Sequence, residues 1–109
     1  MGHQRSAEAV LAEAVRLLVD AAHPLKVILF GSAARGQADE GSDLDLLVIL
    51  EEMRGRPAEM VRLLRALRPL RIPVDVLVYS HDEVEEWGHL PGTVLYEALT
   101  EGRVLYEAA

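Results

Sequence analysis

Three observations predict an α/β or α+β fold in which helices cover a small sheet. Segments whose apolar residues recur at helical spacing alternate along the chain with short apolar runs rich in β-branched residues. Half of the 109 residues are hydrophobic and 27% are charged, which suffices for one buried core. Because this length leaves no room for a second core, we expect a single domain over residues 1–109. The composition also excludes a disordered tail and a fibrous protein.

The first helix and the first strand are bounded by residues that end regular structure. Ser6 is a candidate N-cap of the helix. The pair His23 and Pro24 ends it, since the residue before proline disfavours helical geometry. Residues 26–30 (KVILF) predict a strand buried on both faces. The glycine-bounded segment 31–36 predicts a turn that opens into a short helix or an irregular loop.

The middle of the chain predicts a second strand, an arginine-bearing helix and a third strand. Residues 43–50 (DLDLLVIL) form the second strand, and residues 74–79 (VDVLVY) form the third. Gly55 and Pro57 precede the helix between them. Its predicted buried stripe, at helical spacing, consists of Met60, Leu63, Leu64 and Leu67.

The last part of the chain predicts two helices and a short strand. Residues 80–83 (SHDE) fit a capping box that starts a short acidic helix. Residues 92–101 predict the final helix, which Gly102 closes. Residues 103–106 predict a short edge strand.

Charge is distributed unevenly along the chain. The formal net charge is −7, which argues against nucleic acid as a partner, because neutralising a phosphate backbone needs an excess of Lys and Arg. Between Arg54 and Arg71, however, six arginines face one acid, Glu59, so this segment carries a net charge of +5. A solvated helix face is the favoured interpretation of the arginines, and a nucleic-acid patch is the alternative.

The cellular location follows from three absences in the sequence. Without cysteine the chain has neither disulfides nor thiolate metal ligands. Its N-terminus lacks a signal-peptide pattern, and no apolar run approaches the roughly 20 residues that span a bilayer. We therefore expect a cytoplasmic protein with no membrane partner.

Three aspartates lie on predicted strands, where aspartate is disfavoured. Asp43 and Asp45 point to the same face because side chains alternate along a strand, and Asp75 can join them if the two strands adjoin. Carboxylates that converge without cations repel one another, and a divalent ion removes this conflict. Mg²⁺ suits such oxygen ligands best, and two ions can hold the attacking and leaving oxygens of a phosphoryl displacement.

Each aspartate also has an ordinary structural interpretation. Asp43 follows Ser42 in a glycine-containing loop, where aspartate often caps a turn. Asp45 can lie on the solvent-exposed face of an edge strand, and Asp75 can pair with an arginine such as Arg71. Any one of these is plausible alone, but three coincidences together are much less so.

A glycine-serine turn after the first strand supplies groups that suit phosphate. Gly31 and Ser32 offer backbone amides and a hydroxyl at a helix N-terminus. The segment 31–36 has the glycine spacing of a P-loop, but Gln37 and Ala38 replace the required Lys and Ser/Thr. A P-loop is therefore excluded, and no G-x-G-x-x-G supports dinucleotide binding.

Residues 30–46, FGSAARGQADEGSDLDL, resemble the signature G-S-x-A-R-G-x-A-x-x-x-S-D-x-D-L of the minimal nucleotidyltransferases (MNT). This group belongs to the DNA polymerase β-like nucleotidyltransferase superfamily. The later segment Val74-Asp75-Val76 resembles the third acidic strand of that superfamily. The resemblance covers nearly the whole chain. It implies the polymerase β-like fold, with a small mixed sheet flanked by helices.

The resemblance also implies roles for the acidic residues. Asp43 and Asp45 would bind Mg²⁺, with two ions expected. Asp75 would complete the metal site beside the attacking hydroxyl and help to deprotonate it. These three residues are the expected catalytic and metal-binding set.

The resemblance implies a nucleotide-binding role for four further residues. Gly31 and Ser32 would hold the β- and γ-phosphates of a nucleoside triphosphate. Arg35 would contact the triphosphate, with a structural salt bridge as the alternative, and Ser42 would orient or cap the loop.

The function implied by the resemblance is Mg²⁺-dependent transfer of AMP from ATP to a hydroxyl. Minimal members are typically encoded beside a HEPN-domain toxin and act as its antitoxin, some by adenylylating a toxin tyrosine. A hetero-oligomer with such a toxin is therefore expected. The alternatives are an antitoxin that neutralises by binding alone, and transfer to a small-molecule acceptor. Because one short domain leaves no visible acceptor site, the partner itself is the expected acceptor.

Overall fold

The computed structural model describes residues 6–34 and 44–109, and of Ser32 and Ala33 it describes the backbone only. Within these ranges the chain forms five α-helices, a 3₁₀ turn and four strands. In chain order they are α1 (Ala7–Ala22), β1 (Lys26–Phe30), α2 (Gly31–Ala34), β2 (Leu44–Leu50), α3 (Arg56–Ala66), the 3₁₀ turn (Arg68–Leu70), β3 (Val74–Ser80), α4 (His81–Trp87), α5 (Val94–Glu101) and β4 (Arg103–Glu107).

The four strands form one mixed sheet in the order β3-β2-β1-β4. β1 runs antiparallel to both β2 and β4, whereas β2 and β3 are parallel. The arginine-bearing helix α3 makes the crossover that a parallel pair requires. As a result, β2 and β3 begin at the edge of the sheet where β1 ends. The predicted mixed sheet flanked by helices is confirmed.

Helices cover both faces of the sheet, and the core is divided accordingly. Alternate residues of β2 point to opposite faces, so that Leu46 packs with α1 and α3 while Leu47 packs with α5. The first cluster contains Leu18 and Leu63, and the second contains Leu95. Burial of both faces explains why β1 and β2 are continuous apolar runs in the sequence.

Local signals in the sequence place several helix ends. Ser6 accepts a hydrogen bond from the backbone N–H of Ala9 at 3.0 Å, and α1 stops at His23, which adopts left-handed geometry with φ +46°. Ser80 and Glu83 form a capping box at the start of α4, each side chain accepting from the other's backbone N–H. These predicted ends are confirmed.

One predicted boundary differs from the structure, and another falls on a residue outside the described ranges. The last helix begins at Val94 rather than at residue 92, because Thr93 is its N-cap and accepts from the N–H of Tyr96 at 3.1 Å. The second strand begins at Leu44, and Asp43, which the prediction placed in it, lies outside the described residues. The predicted edge strand near the C-terminus is confirmed as β4.

The predicted stripe of α3 is correct except at one position. Leu63 and Leu67 are buried against the core and Met60 packs beside them, but Leu64 is 39% exposed. Each residue turns a helix by about 100°, so the arc that reaches the sheet includes Leu63 and excludes its neighbour. None of the described helices is long and apolar enough to cross a membrane.

Candidate active site

Two of the predicted aspartates lie side by side on neighbouring strands. Asp45 of β2 is in register with Asp75 of β3, and on its other side Asp45 is in register with Phe30, the last residue of β1. Neighbouring strands are about 4.8 Å apart, so the two carboxylates start from adjacent backbone positions on one face. The sheet therefore places a row of Phe30, Asp45 and Asp75 at the edge where β1 ends.

The face that carries these aspartates is covered by helices only farther along the strands. Leu47 and Tyr79 follow Asp45 and Asp75 on the same face, and they belong to the cluster packed under α4 and α5. Asp45 is partly buried, whereas Asp75 is exposed. A ligand can therefore reach both carboxylates without displacing the core.

Gly31 lies directly against the Asp45 carboxylate. A Cβ atom at residue 31 would overlap Oδ2 of Asp45 and would come within 3.2 Å of its Cγ. Gly31 also has φ +75°, a left-handed conformation that L-residues with a side chain rarely adopt. Two independent constraints thus require glycine here, and they bring the start of α2 (Gly31–Ala34) to the carboxylate.

The structure does not support the ordinary interpretations of Asp45 and Asp75. β2 is an inner strand between β1 and β3, so Asp45 does not mark an edge strand. In the described part of the chain, Asp75 has no hydrogen bond or ion pair, and Arg71 is therefore not its partner. Asp75 is an exposed carboxylate in register with that of Asp45, and two neighbouring carboxylates are oxygen ligands of the kind that a divalent cation prefers.

The other predicted site residues are only partly placed. The backbone of Ser32 lies in α2, next to Gly31. Arg35, Ser42 and Asp43 lie outside the described residues. Their predicted roles, in nucleotide binding for the first two and in metal binding for the third, remain predictions.

The carboxylates of Asp45 and Asp75 are of the kind and number that fit a magnesium site. Within residues 6–34 and 44–109, no three histidine, aspartate or glutamate side chains converge as they would around a metal ion. Asp45 and Asp75 supply two hard carboxylate ligands, which is the number that protein Mg²⁺ sites commonly use. Metal binding by Asp43, Asp45 and Asp75 stays a prediction.

Sequence reasoning missed the contact between Gly31 and Asp45. The sequence assigns the turn to phosphate and the acidic strand to metal within one site, without predicting that they touch. The signal that could have joined them is the position of Gly31 at the end of a buried strand, where glycine often permits a close backbone approach.

A group of contacts made by Arg56 lies at the opposite end of β3. Arg56 donates through Nε to the carbonyl oxygen of Val78 at 3.1 Å and pairs with Glu83 at 2.5 Å, and its guanidinium stacks over the Tyr79 ring. Partial burial of Glu83 disfavours its charged form. The hydrogen bonds from Arg56 and Ser80 nevertheless lower the pKa of this carboxyl below its ordinary value of 4.5. Arg56 therefore links α3 to α4, away from the candidate active site at Asp45 and Asp75.

A mixed sheet with in-register aspartates beside a glycine turn is the arrangement expected of a nucleotidyltransferase fold. The chain matches the nucleotidyltransferase domain family over residues 10–106. It therefore belongs to this family.

Comparison with solved structures agrees with the fold. A toxin–antitoxin crystal structure with AMP-PNP superimposes with a TM-score of 0.67 and 22% identity, covering 90% of this chain and 73% of that one. A mutant of the MntA–HpeT toxin–antitoxin superimposes with a TM-score of 0.64 and 18% identity, also covering 90% of this chain and 73% of that one. A candidate nucleotidyltransferase from Sulfolobus solfataricus gives 0.60 and 22% identity, covering 98% of this chain and 92% of that one. These likenesses show the fold.

A sequence relative matches over a shorter segment. A candidate protein adenylyltransferase of Methanocaldococcus jannaschii is 61% identical over 28 residues. The matched segment spans 26% of this chain and 28% of that protein.

Proposed function

We propose that this chain transfers AMP from ATP to a hydroxyl group of a partner protein, with Mg²⁺ as cofactor. The observation that carries the proposal is the placement of Asp45 and Asp75 in register on adjacent strands, with the Gly31 backbone against the Asp45 carboxylate. The family supports nucleotidyl transfer, and the relative named as a protein adenylyltransferase supports AMP and a protein acceptor.

The reaction forms one bond and breaks one. The acceptor oxygen bonds to the α-phosphorus of ATP, the bond from this phosphorus to the α–β bridging oxygen breaks, and pyrophosphate leaves. The hydroxyl proton goes to Asp75, which is exposed at the sheet edge and can approach an incoming acceptor. Gly31 and Ser32 would hold the β- and γ-phosphates at the start of α2, because the first N–H groups of a helix have no intrahelical partner.

Asp43, Asp45 and Asp75 would hold the magnesium ions. When bound, Mg²⁺ neutralises the charge that develops on the phosphate oxygens during transfer. Gly31 keeps the Asp45 carboxylate in place because no side chain separates it from the turn. The aspartate pair at Asp43 and Asp45 has a parallel in the MntA–HpeT mutant, in which two aspartates two positions apart are replaced by glutamate.

The proposed acceptor is a tyrosine of a HEPN-domain toxin, with this chain as its antitoxin in a hetero-oligomer. The two toxin–antitoxin structures with this fold support a toxin as partner, and the one with AMP-PNP supports an adenine nucleotide.

The proposal is tested with ATP labelled at the α-phosphate. The purified chain is incubated with Mg²⁺, the labelled ATP and the protein encoded beside it, and the labelled product is resolved by gel and mass spectrometry. We expect label on a tyrosine of the partner. Asp45→Asn and Asp75→Asn should each lower the rate by at least about 100-fold, because each removes a charge that acts on the transition state.

Asp20→Asn is the matched control, since Asp20 is an exposed aspartate near the end of α1. It should leave the rate unchanged. Wild-type rates in both site variants would refute the proposed roles. Tight complex formation without label would instead establish an antitoxin that acts by binding alone, and label on an added small molecule would replace the protein acceptor.

A further inference from the structure

We propose that the outward side of α3 and the groove below it dock an acidic, apolar segment of the acceptor protein next to Asp75. This surface consists of Val61, Leu64, Arg65, Arg68 and Arg71, and we call it the arginine–leucine surface. The inference rests on the proposed function, because it identifies how the acceptor of that reaction is held.

Exposed apolar side chains form one part of this surface. Val61 is 48% exposed and Leu64 is 39% exposed, and they lie three positions apart on α3, hence on the same side of the helix. Below Leu64 a groove of about 330 Å³ continues the apolar surface toward the sheet. Its lining residues are Leu64, Leu67, Arg68, Arg71, Ile72, Pro73 and Val74.

Uncompensated positive charge forms the other part. The side chains of Arg65, Arg68 and Arg71 have no ion pair or hydrogen bond to any residue that the structure describes. Arg56 and Arg62, by contrast, are paired with Glu83 and Glu59. Three free guanidiniums around apolar side chains attract carboxylates, and arginine at the rim of an apolar patch is typical of protein interfaces.

The groove ends beside the acidic site. Val74 forms part of its wall, and Asp75 is the next residue, so their Cα atoms are about 3.8 Å apart. β3 is an edge strand of the described sheet, and a segment can therefore pass from the groove around this edge to Asp75. Side chains alternate along β3, so Val74 and Asp75 face opposite sides of the sheet, and the segment has to turn around the strand to reach the carboxylate.

The lining of the groove favours a protein segment over a nucleic acid. Five of its seven lining residues are apolar and none is aromatic, so bases would find no side chain on which to stack. The whole chain has a net charge of −7, which opposes a polyanion but not a short acidic segment.

The test measures peptide binding and transfer separately. The probe is a short fluorescent peptide with a tyrosine between leucine and glutamate residues, and a second peptide carries lysine in place of glutamate. We expect the full chain to bind the glutamate peptide, to bind it more weakly as salt is raised, and not to bind the lysine peptide. Arg68→Glu should weaken binding by at least about tenfold, because it places like charges together.

Two matched controls separate the surface from general charge and hydrophobicity. Arg16→Glu makes the same change in net charge at an exposed position of α1 and should leave binding unchanged. Leu64→Ser should weaken binding, whereas Leu90→Ser should not, although Leu90 is exposed to a similar extent at 43%. Thermal unfolding checks that each variant is folded. In the transfer assay with the HEPN partner, Arg68→Glu should raise KM for the partner and leave KM for ATP unchanged.

The outcomes distinguish this inference from the proposed function. Peptide binding that requires Arg68 and Leu64 supports the docking surface even if no label is transferred. In that case the proposed transfer reaction is refuted and the docking surface is not. Equal loss of binding in Arg16→Glu and Arg68→Glu would overturn the inference. The inference would also be overturned if a fluorescent single-stranded RNA bound instead of the peptide and Arg68→Glu abolished this binding. That result would assign the surface to nucleic acid.

Discussion

Replacement of Gly31 by alanine should lower activity about 100-fold while leaving the fold intact. The new Cβ would overlap Oδ2 of Asp45, and the carboxylate would have to move by about 1 Å to restore ordinary contact distances. A displacement of that size at a reacting centre costs about 100-fold in rate. The left-handed backbone at φ +75° adds a stability cost of about 1–2 kcal/mol.

Gly92→Ala provides a matched control for the backbone strain. Gly92 also has a positive φ, +87°, but a Cβ there would meet no atom within 4 Å. Both variants should therefore lose about 1–2 kcal/mol, or several degrees in Tm. The carboxylate end of Asp45 can swing aside, so the overlap at Gly31 should cost little further stability.

The assay compares the rate of label transfer with Tm for both variants. We expect both to melt at similar temperatures, with activity lowered in Gly31→Ala alone. A Gly31→Ala protein that transfers label at the wild-type rate would refute the argument that Gly31 positions Asp45. Equal loss of activity in Gly92→Ala would show that strain, not the carboxylate, is responsible.

Two further predictions concern the junction of β3 and α4. Ser80→Ala removes both the hydroxyl that caps α4 and its part in the capping box, and should lower the free energy of unfolding by about 1 kcal/mol, measured in urea. The pKa of Glu83 is lowered in the folded state, so its carboxylate contributes stability above its ordinary pKa of 4.5, and this contribution is lost as the pH falls through the lowered value. Glu83→Gln should therefore destabilise the protein at neutral pH and reduce the loss of stability on acidification; an unchanged pH dependence would contradict this.

Helix ends and strands could be predicted from the sequence because residues close together in the chain determine them. The pair His23 and Pro24 ends α1, and the Ser80–Glu83 capping box starts α4, through contacts within one turn. The apolar runs of β1 and β2 identify strands because burial on both faces leaves no polar positions along them.

The arrangement of the strands could not be predicted in this way. Continuous apolar runs carry no information about which strands adjoin, so the sequence left open whether Asp45 lay on an edge strand. The register of β2 with β3, which pairs Asp45 with Asp75, depends on a crossover through α3. Leu64 illustrates the same limit, since helical spacing placed it in the core, and only packing against the sheet shows that it faces outward.

For the candidate site, the sequence predicted which residue types belong to it, and of these the structure shows that Asp45 and Asp75 are neighbours. Alternation along the strands and the family signature identified Asp45, Asp75 and Gly31 as belonging together. The close approach of Gly31 to the Asp45 carboxylate joins two segments through tertiary structure, which the pattern of residues does not encode. Asp43, Arg35 and Ser42 lie outside the described residues, so their places in the site remain predictions.

The central claim is that the chain performs nucleotidyl transfer, and a comparison of two labelled ATPs tests it most directly. Parallel reactions with the partner protein contain ATP labelled at the α-phosphate or at the γ-phosphate. We expect the α-label on the partner and the γ-label in released pyrophosphate, with both signals lost in Asp75→Asn. Transfer of the γ-label to the partner, or the absence of label from it in both reactions, would contradict the claim.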